Sequence, residues 1–138
     1  MALSARYLAD KSALARFPHP LVEARLRPLL EEGLIATCAI VDLEVLFSSR
    51  TLVDYEEVLV ERRSLDSAPI TPEVLVLAIE LQHELAKRGQ HRLAIPDLVI
   101  SAAARLAGLI VLHYDADFER VAAVGGAEQE WVAPRGKL

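Results

Sequence analysis

The chain is short of several things, and each shortage removes a class of protein. Its 138 residues include one cysteine, Cys38, so no intrachain disulfide forms and a disulfide-stapled scaffold is excluded. No stretch approaches the roughly 20 consecutive apolar residues that span a bilayer. The opening "MALSARYLAD" holds no apolar run of signal-peptide length. A soluble cytoplasmic protein with no membrane association is therefore expected. Internal repeats, low-complexity tracts and linkers are also missing. Basic residues are in the minority, 15 Lys and Arg against 20 Asp and Glu, for a net charge of −5. Taken alone, that balance counts against a nucleic-acid binder. It does so less if several acids gather at one metal site, where bound ions reverse the local charge.

What is present is the composition of a folded domain. Hydrophobic residues make up 53% and charged residues 25%, and the length suits one domain, 1–138, with a single core. Short apolar runs alternate with helical stretches. "RYLAD" reads as a first strand over 5–9, and "KSALARF" as a short helix closed by Pro18 and Pro20. Pro20 and Gly33 bracket a second helix, with Pro28 inside it predicting a kink or break. "LIATC" (34–38) reads as a strand, followed by a long helical stretch from Ile40 to Arg63, then a short strand at "SAPI" (67–70). Thr71-Pro72 opens a helix with Val74, Leu77, Ala78, Leu81 and Leu85 at helical spacing, and Gly89 ends it. "GQHRLAI" is a connecting loop, and Pro96 starts a helix that stops at Gly108. "LIVLH" (109–113) is the clearest strand, followed by a short helix and a last strand at "EWVA" (130–133). The tail from Pro134, "PRGKL", is expected to be mobile. Apolar strands without polar alternation fit a parallel sheet covered on both faces, an α/β fold.

Several acids resist a purely structural explanation. Sites in open parallel sheets form beyond the carboxyl ends of the strands. Asp10 follows the first strand and Asp115 the fourth, although each could instead simply cap the helix that follows. Glu44 lies in "AIVDLEVLF", a helix apolar around most of its circumference. A carboxylate buried there costs several kcal/mol unless it is paired or bound to metal. Asp42 is the alternative acid of the same helix. Asp97 sits in the first turn of the apolar "IPDLVISAAA", where the helix dipole offers at most about 1 kcal/mol. These acids are separated by 34, 53 and 18 residues, and periodicity does not show that they meet. If they do, their charges require a cation. Hard oxygen ligands select Mg²⁺ or Mn²⁺ over zinc.

Taken in order, "LADKS", "IVDLEVL", "PDLVISAAA" and "LHYDADFERVA" resemble a PIN-domain ribonuclease. No single motif is specific, but the ordered set over 5–133 is. The size resembles that of the toxin in a bacterial VapBC-type toxin–antitoxin pair. The resemblance implies a three-layer α/β/α domain with a central parallel sheet of four to five strands. It also implies a Mg²⁺ or Mn²⁺ site, cleavage of RNA leaving a 5′-phosphate, and a small antitoxin that blocks the site. Carried over position by position, the metal-binding acids would be Asp10, Glu44, Asp97 and Asp115, with Asp117 assisting and Ser12 as the polar residue two places after Asp10. Members often carry Thr or Ser two residues before the last acid group. His113 stands there instead, which affects the support of that group and not the reaction class.

With the five proposed site acids set aside, 15 acids face 15 basic residues, so RNA binding is no longer contradicted. Lys11, Arg16 and Arg50 are candidate rim residues near the site segments. Val74, Leu77 and Leu81 are expected mainly in the core, with a homodimer or antitoxin groove as the other use of such apolar faces. A phosphatase of the haloacid-dehalogenase type, which "DAD" superficially suggests, needs its motif at the first strand, whereas only 21 residues follow Asp117. A Ca²⁺ loop needs further oxygen ligands and a glycine. A phospho-accepting receiver domain needs an acidic pair after the first strand, where Asp10 stands alone. A catalytically silent PIN-like interaction domain would lack one of the acids, and none is missing.

Overall fold

Strand β1 (Tyr7–Ala9) lies at the centre of a sheet whose pairings are all parallel. The structure, a computed structural model, describes residues 4–138. The other strands are β2 (Ile35–Cys38), β3 (Asp66–Ala68), β4 (Ile110–His113) and β5 (Gln129–Trp131), in the spatial order β3-β2-β1-β4-β5. The helices are α1 (Lys11–Leu14), α2 (Pro20–Glu31), α3 (Ala39–Phe47), α4 (Leu52–Arg63), α5 (Pro72–Ala86), α6 (Ile95–Ala107) and α7 (Asp117–Ala123). Chain order reverses between β1 and β4. That is the position at which the carboxyl ends of parallel strands open a crevice.

Strand alternation assigns the two faces. Leu8, Ala36, Cys38 and Val111 pack with Val41 of α3, Ile100 of α6 and Phe118 of α7. Tyr7, Ala9, Ile35 and Leu112 point the other way and pack with Ala13 of α1 and Val22 and Leu26 of α2. Both faces of the sheet are thus covered, giving the three layers α/β/α. Helix α5 forms an outer tier: its Val74, Ala78, Leu81 and Leu85 pack against Leu98, Val99 and Ala102 of α6. Val74 and Leu81 are therefore core residues, and the exposed apolar face of α5 is Leu75, Val76 and Ile79.

Two expectations change. The helical stretch from Ile40 to Arg63 is two helices, α3 and α4, and the second is started by Thr51, whose Oγ1 accepts from Asp54 N at 3.1 Å. A capping hydroxyl followed by a first-turn acid outcompetes continuation through the polar "SSRT". Helix α2 runs through Pro28 without interruption. No helix among the described residues is long and apolar enough to cross a membrane.

Candidate active site

The crevice between β1 and β4 is built from capped chain turns. Asp10 follows β1 and is the N-cap of α1, its Oδ2 accepting from Ser12 N at 2.9 Å. The backbone N–H of Asp10 in turn donates to Leu112 O of β4 at 2.9 Å. Asp115 follows β4, and its Oδ1 accepts from Asp117 N at 3.0 Å. At Asp10 capping and a site role are thus compatible, and Asp115 makes a local turn bond while Ala116 stands at the N-cap of α7.

Asp97 enters from the first turn of α6. It is 8% exposed, on a helix whose residues from Leu98 to Ala104 are all buried. One carboxylate oxygen each from Asp97, Asp115 and Asp117 lie within 4.8 Å of one another. Asp10 and Glu44 fall outside that tight group but bear on it electrostatically. The Asp97 carboxyl is pushed up to about 8, first by burial and then by the charges of Asp10, Asp115, Glu44 and Asp117. Burial and Asp10 also raise Glu44, while Lys11 opposes that rise. Glu44 Oε1 is buried with no hydrogen-bond partner, an acceptor whose desolvation is left uncompensated within the chain.

These observations fit a divalent cation. Three carboxylate oxygens within 4.8 Å of one another are near enough for one hard cation to be held by all three. A hard cation would also relieve the mutual repulsion that raises Asp97 and would satisfy a carboxylate oxygen such as that of Glu44. The tight group includes Asp117, which the sequence pattern places as an outer contributor, and leaves Asp10 and Glu44 further out. Asp117 Oδ1 also pairs with Arg120 Nη1 at 2.5 Å.

The remaining sequence candidates have definite positions. Ser12 Oγ accepts from Tyr114 N at 2.9 Å and so joins the two acid-bearing turns. His113 is fully buried in β4. Lys11 is half-buried beside the site. Arg16 lies over the Tyr114 ring at 4.8 Å and donates to Ser12 O, and Arg50 is exposed in the α3–α4 connection. Asp42, the alternative to Glu44, is instead bonded to Arg62 Nε at 2.9 Å and to Thr37 Oγ1 at 2.8 Å, which gives it a structural partner. Sequence reasoning did not single out Gln129, whose Oε1 lies 2.6 Å from His113 Nε2. The sequence signal for it was weak, a polar residue at the start of the last strand.

Comparison with known proteins shows the family. The family model described as PIN domain matches residues 7–124. The chain belongs to the PIN-domain family. Its relatives include Ribonuclease VapC21 of Mycobacterium tuberculosis, 45% identical over 136 residues that cover 97% of this chain and 99% of that protein. Ribonuclease VapC51 of the same organism is 38% identical, covering 99% of both. Among solved structures, VapBC2 from Rickettsia felis bound to a promoter DNA fragment superposes with a TM-score of 0.72 at 18% identity, covering 91% of this chain and 97% of that one. VapBC-5 of M. tuberculosis, from the VapBC family of toxin–antitoxin systems, gives 0.61 at 25% identity over 94% of this chain and 98% of that one. The five-stranded parallel sheet of the PIN domain is the fold those structures share.

Proposed function

We propose that this PIN domain is a divalent-metal-dependent endoribonuclease and the toxin of a toxin–antitoxin pair. The observation that carries the reading is the convergence of Asp97, Asp115 and Asp117 within 4.8 Å, at the crevice that Asp10 also borders. The VapC ribonuclease relatives, matched over nearly the whole chain, support RNA as the substrate class.

In this reading Asp10, Glu44, Asp97 and Asp115 hold Mg²⁺ or Mn²⁺, and Asp117 assists. A bound ion of this kind supplies positive charge to the scissile phosphate and lowers the pKa of a water. The chain's own residues do the rest. The buried Asp97 must lose its proton before it can ligate, and the N–H bonds from Ser12 and Asp117 hold the carboxylates of Asp10 and Asp115 in place. Lys11, Arg16 and Arg50 offer positive charge to the RNA backbone around an otherwise acidic cleft. An antitoxin and a second copy of the chain are the proposed protein partners. The groove of about 330 Å³ lined by Leu75, Ile79 and Ile95 on α5 and α6 is the proposed dimer face. A cytoplasmic location goes with these partners.

The direct test is cleavage of structured RNA by the purified protein with Mg²⁺ or Mn²⁺, compared with EDTA and with Asp97→Asn. Cleavage should need the metal and be lost in the variant. Equal cleavage in all three would overturn the reading. Expression of the chain should arrest growth, and co-expression of a cognate antitoxin should relieve the arrest.

A further inference from the structure

We propose that His113 and Gln129 act together as positioning residues, fixing the Asp115 turn in the shape that presents its carboxylate. The inference rests on the metal-dependent nuclease reading above and deepens it. His113 is 0% exposed, and both ring nitrogens have partners. Nδ1 lies 3.0 Å from the backbone N of Asp115. A backbone N–H can only donate, so Nδ1 must carry no proton. The ring proton therefore sits on Nε2, which faces Gln129 Oε1 at 2.6 Å. The Asp115 N–H thus selects this tautomer, and Gln129 Oε1 stabilises it by accepting the ring proton.

The ring has little freedom to leave this arrangement. Phe118 and Trp131 lie against it with ring centroids at 5.1 and 5.0 Å. Strand register reinforces the clamp, with His113 opposite Trp131 and Val111 opposite Gln129 across the β4–β5 pair. A directed series of bonds results: Asp117 N–H to Asp115 Oδ1, Asp115 N–H to His113 Nδ1, and His113 Nε2–H to Gln129 Oε1. It runs from the acid cluster to the edge strand β5. A serine or threonine at position 113, as the resemblance leads one to expect, would offer a rotating hydroxyl that both donates and accepts. Histidine held by glutamine offers a single fixed acceptor and ties the turn to a second strand. Partners that orient ligand-bearing groups in this way affect metal affinity as well as stability.

Two measurements test this. Long-range ¹⁵N–¹H NMR of the folded, metal-free protein should show His113 with an unprotonated Nδ1 and a protonated Nε2, and the opposite tautomer would overturn the proposal. Mn²⁺ titration should then separate variants that keep the acceptor from those that lose it. Asn at 113 places Oδ1 near the former Nδ1, whereas Leu fills similar space without an acceptor. His113→Leu should weaken Mn²⁺ binding by ~10–100-fold, the range seen when an orienting partner is lost, and His113→Asn should stay well short of that loss. A purely structural role would reduce the stability of both and leave no such split, and equal losses, or wild-type affinity in His113→Leu, would count against the idea. If His113→Leu lacks a cooperative melt, Gln129→Leu on the half-exposed edge strand decides instead. It should mix the tautomers and weaken Mn²⁺ binding, and no change in either would overturn the proposal. A wild-type protein that neither binds Mn²⁺ nor cleaves RNA would fail the nuclease reading itself. Normal wild-type behaviour with unaffected variants would fail only this inference.

Discussion

Ser12 Oγ accepts from the backbone N–H of Tyr114 at 2.9 Å, linking residues 102 positions apart in the chain. The bond brings together the turn after β1, which carries Asp10, and the turn after β4, which carries Asp115. Ser12 also donates its own N–H to Asp10 Oδ2, so one residue orients the first acid and anchors the last acid's turn. Ser12→Ala keeps the first bond and loses the second. It should cost about 1 kcal/mol of stability, the net value of one such hydrogen bond, read as a lowered midpoint in urea. A weaker Mn²⁺ affinity should accompany it. An unchanged midpoint with unchanged affinity would mean that the two turns are held together by the sheet alone.

The Asp42–Arg62 pair is a second device, and it holds a whole helix. Arg62 Nε bonds Asp42 Oδ1 at 2.9 Å and its Nη2 bonds Thr37 Oγ1 at 2.7 Å, so α4 is fastened to both α3 and β2. The Arg62 side chain is 9% exposed and that of Asp42 24%. Arg62→Ala leaves a mostly buried carboxylate unpaired and should destabilise by about 2–3 kcal/mol, below the range for a fully buried pair because water reaches Asp42. A double-mutant cycle with Asp42→Ala should show coupling. Additive losses would indicate that the arginine stem, not the charge pair, holds α4.

This pair shows where sequence reasoning stopped. The strands and the parallel sheet were legible because "LIVLH" and "LIATC" are largely apolar runs that each follow a glycine, the pattern of strands covered on both faces; their spatial order was not. The acids at strand ends stood out for the same reason, since charge directly after such a run has few structural uses. The choice between Asp42 and Glu44 was harder. Both lie on α3, and only the arrival of Arg62 from the next helix, 20 residues on, gives Asp42 its partner and leaves Glu44 Oε1 without one. The break between α3 and α4 was missed because the helical pattern on either side of "SSRT" masked a cap at Thr51. Gln129 was out of reach, because its meaning comes from pairing with His113 across strands and not from its neighbours in sequence.

Gly126 offers a test of packing behind the site. A Cβ placed there would stand 2.6 Å from both Ser101 Oγ and Val121 Cγ1, and 2.8 Å from Val121 O. The backbone oxygen cannot move aside as a side-chain tip can. Ser101 Oγ also accepts from Ala127 N at 3.0 Å, so the clash would disturb the turn that leads into β5 and Gln129. Gly126→Ala should lower stability by about 1–3 kcal/mol, the usual cost of overpacking a filled interior. Adjacent Gly125 has a φ of +105° but meets only Arg105 Nη1 at 3.7 Å. Strain and not contact should therefore dominate Gly125→Ala. Thermal melts of the two variants, alone and with Ser101→Ala, separate these causes: Ser101→Ala should partly rescue Gly126→Ala and leave Gly125→Ala unaffected.

The charge state of Asp97 gives the sharpest pH dependence. Its carboxyl titrates at about 8 in the folded, metal-free protein, against about 3.9 in an unfolded chain. Between those values the folded state holds a proton that the unfolded state has released. This group's contribution to stability therefore falls as pH rises from about 4 towards 8, then levels off. Asp97→Asn carries no such group. Without metal it should match the wild type near pH 4 and exceed it by roughly 1–3 kcal/mol at pH 8, less than the full shift implies because neighbouring acids share the proton. Mn²⁺ should reverse the order. Ligation needs the ionised form, so binding to the wild type should tighten by up to about tenfold per pH step below pH 8. The variant should gain little stability from the metal. Urea titrations at pH 4.5 and 8, each with EDTA or with Mn²⁺, make the comparison. A variant less stable than the wild type at pH 8 in EDTA would show that the Asp97 carboxylate has a stabilising partner within the chain, and that its role at the crevice is structural.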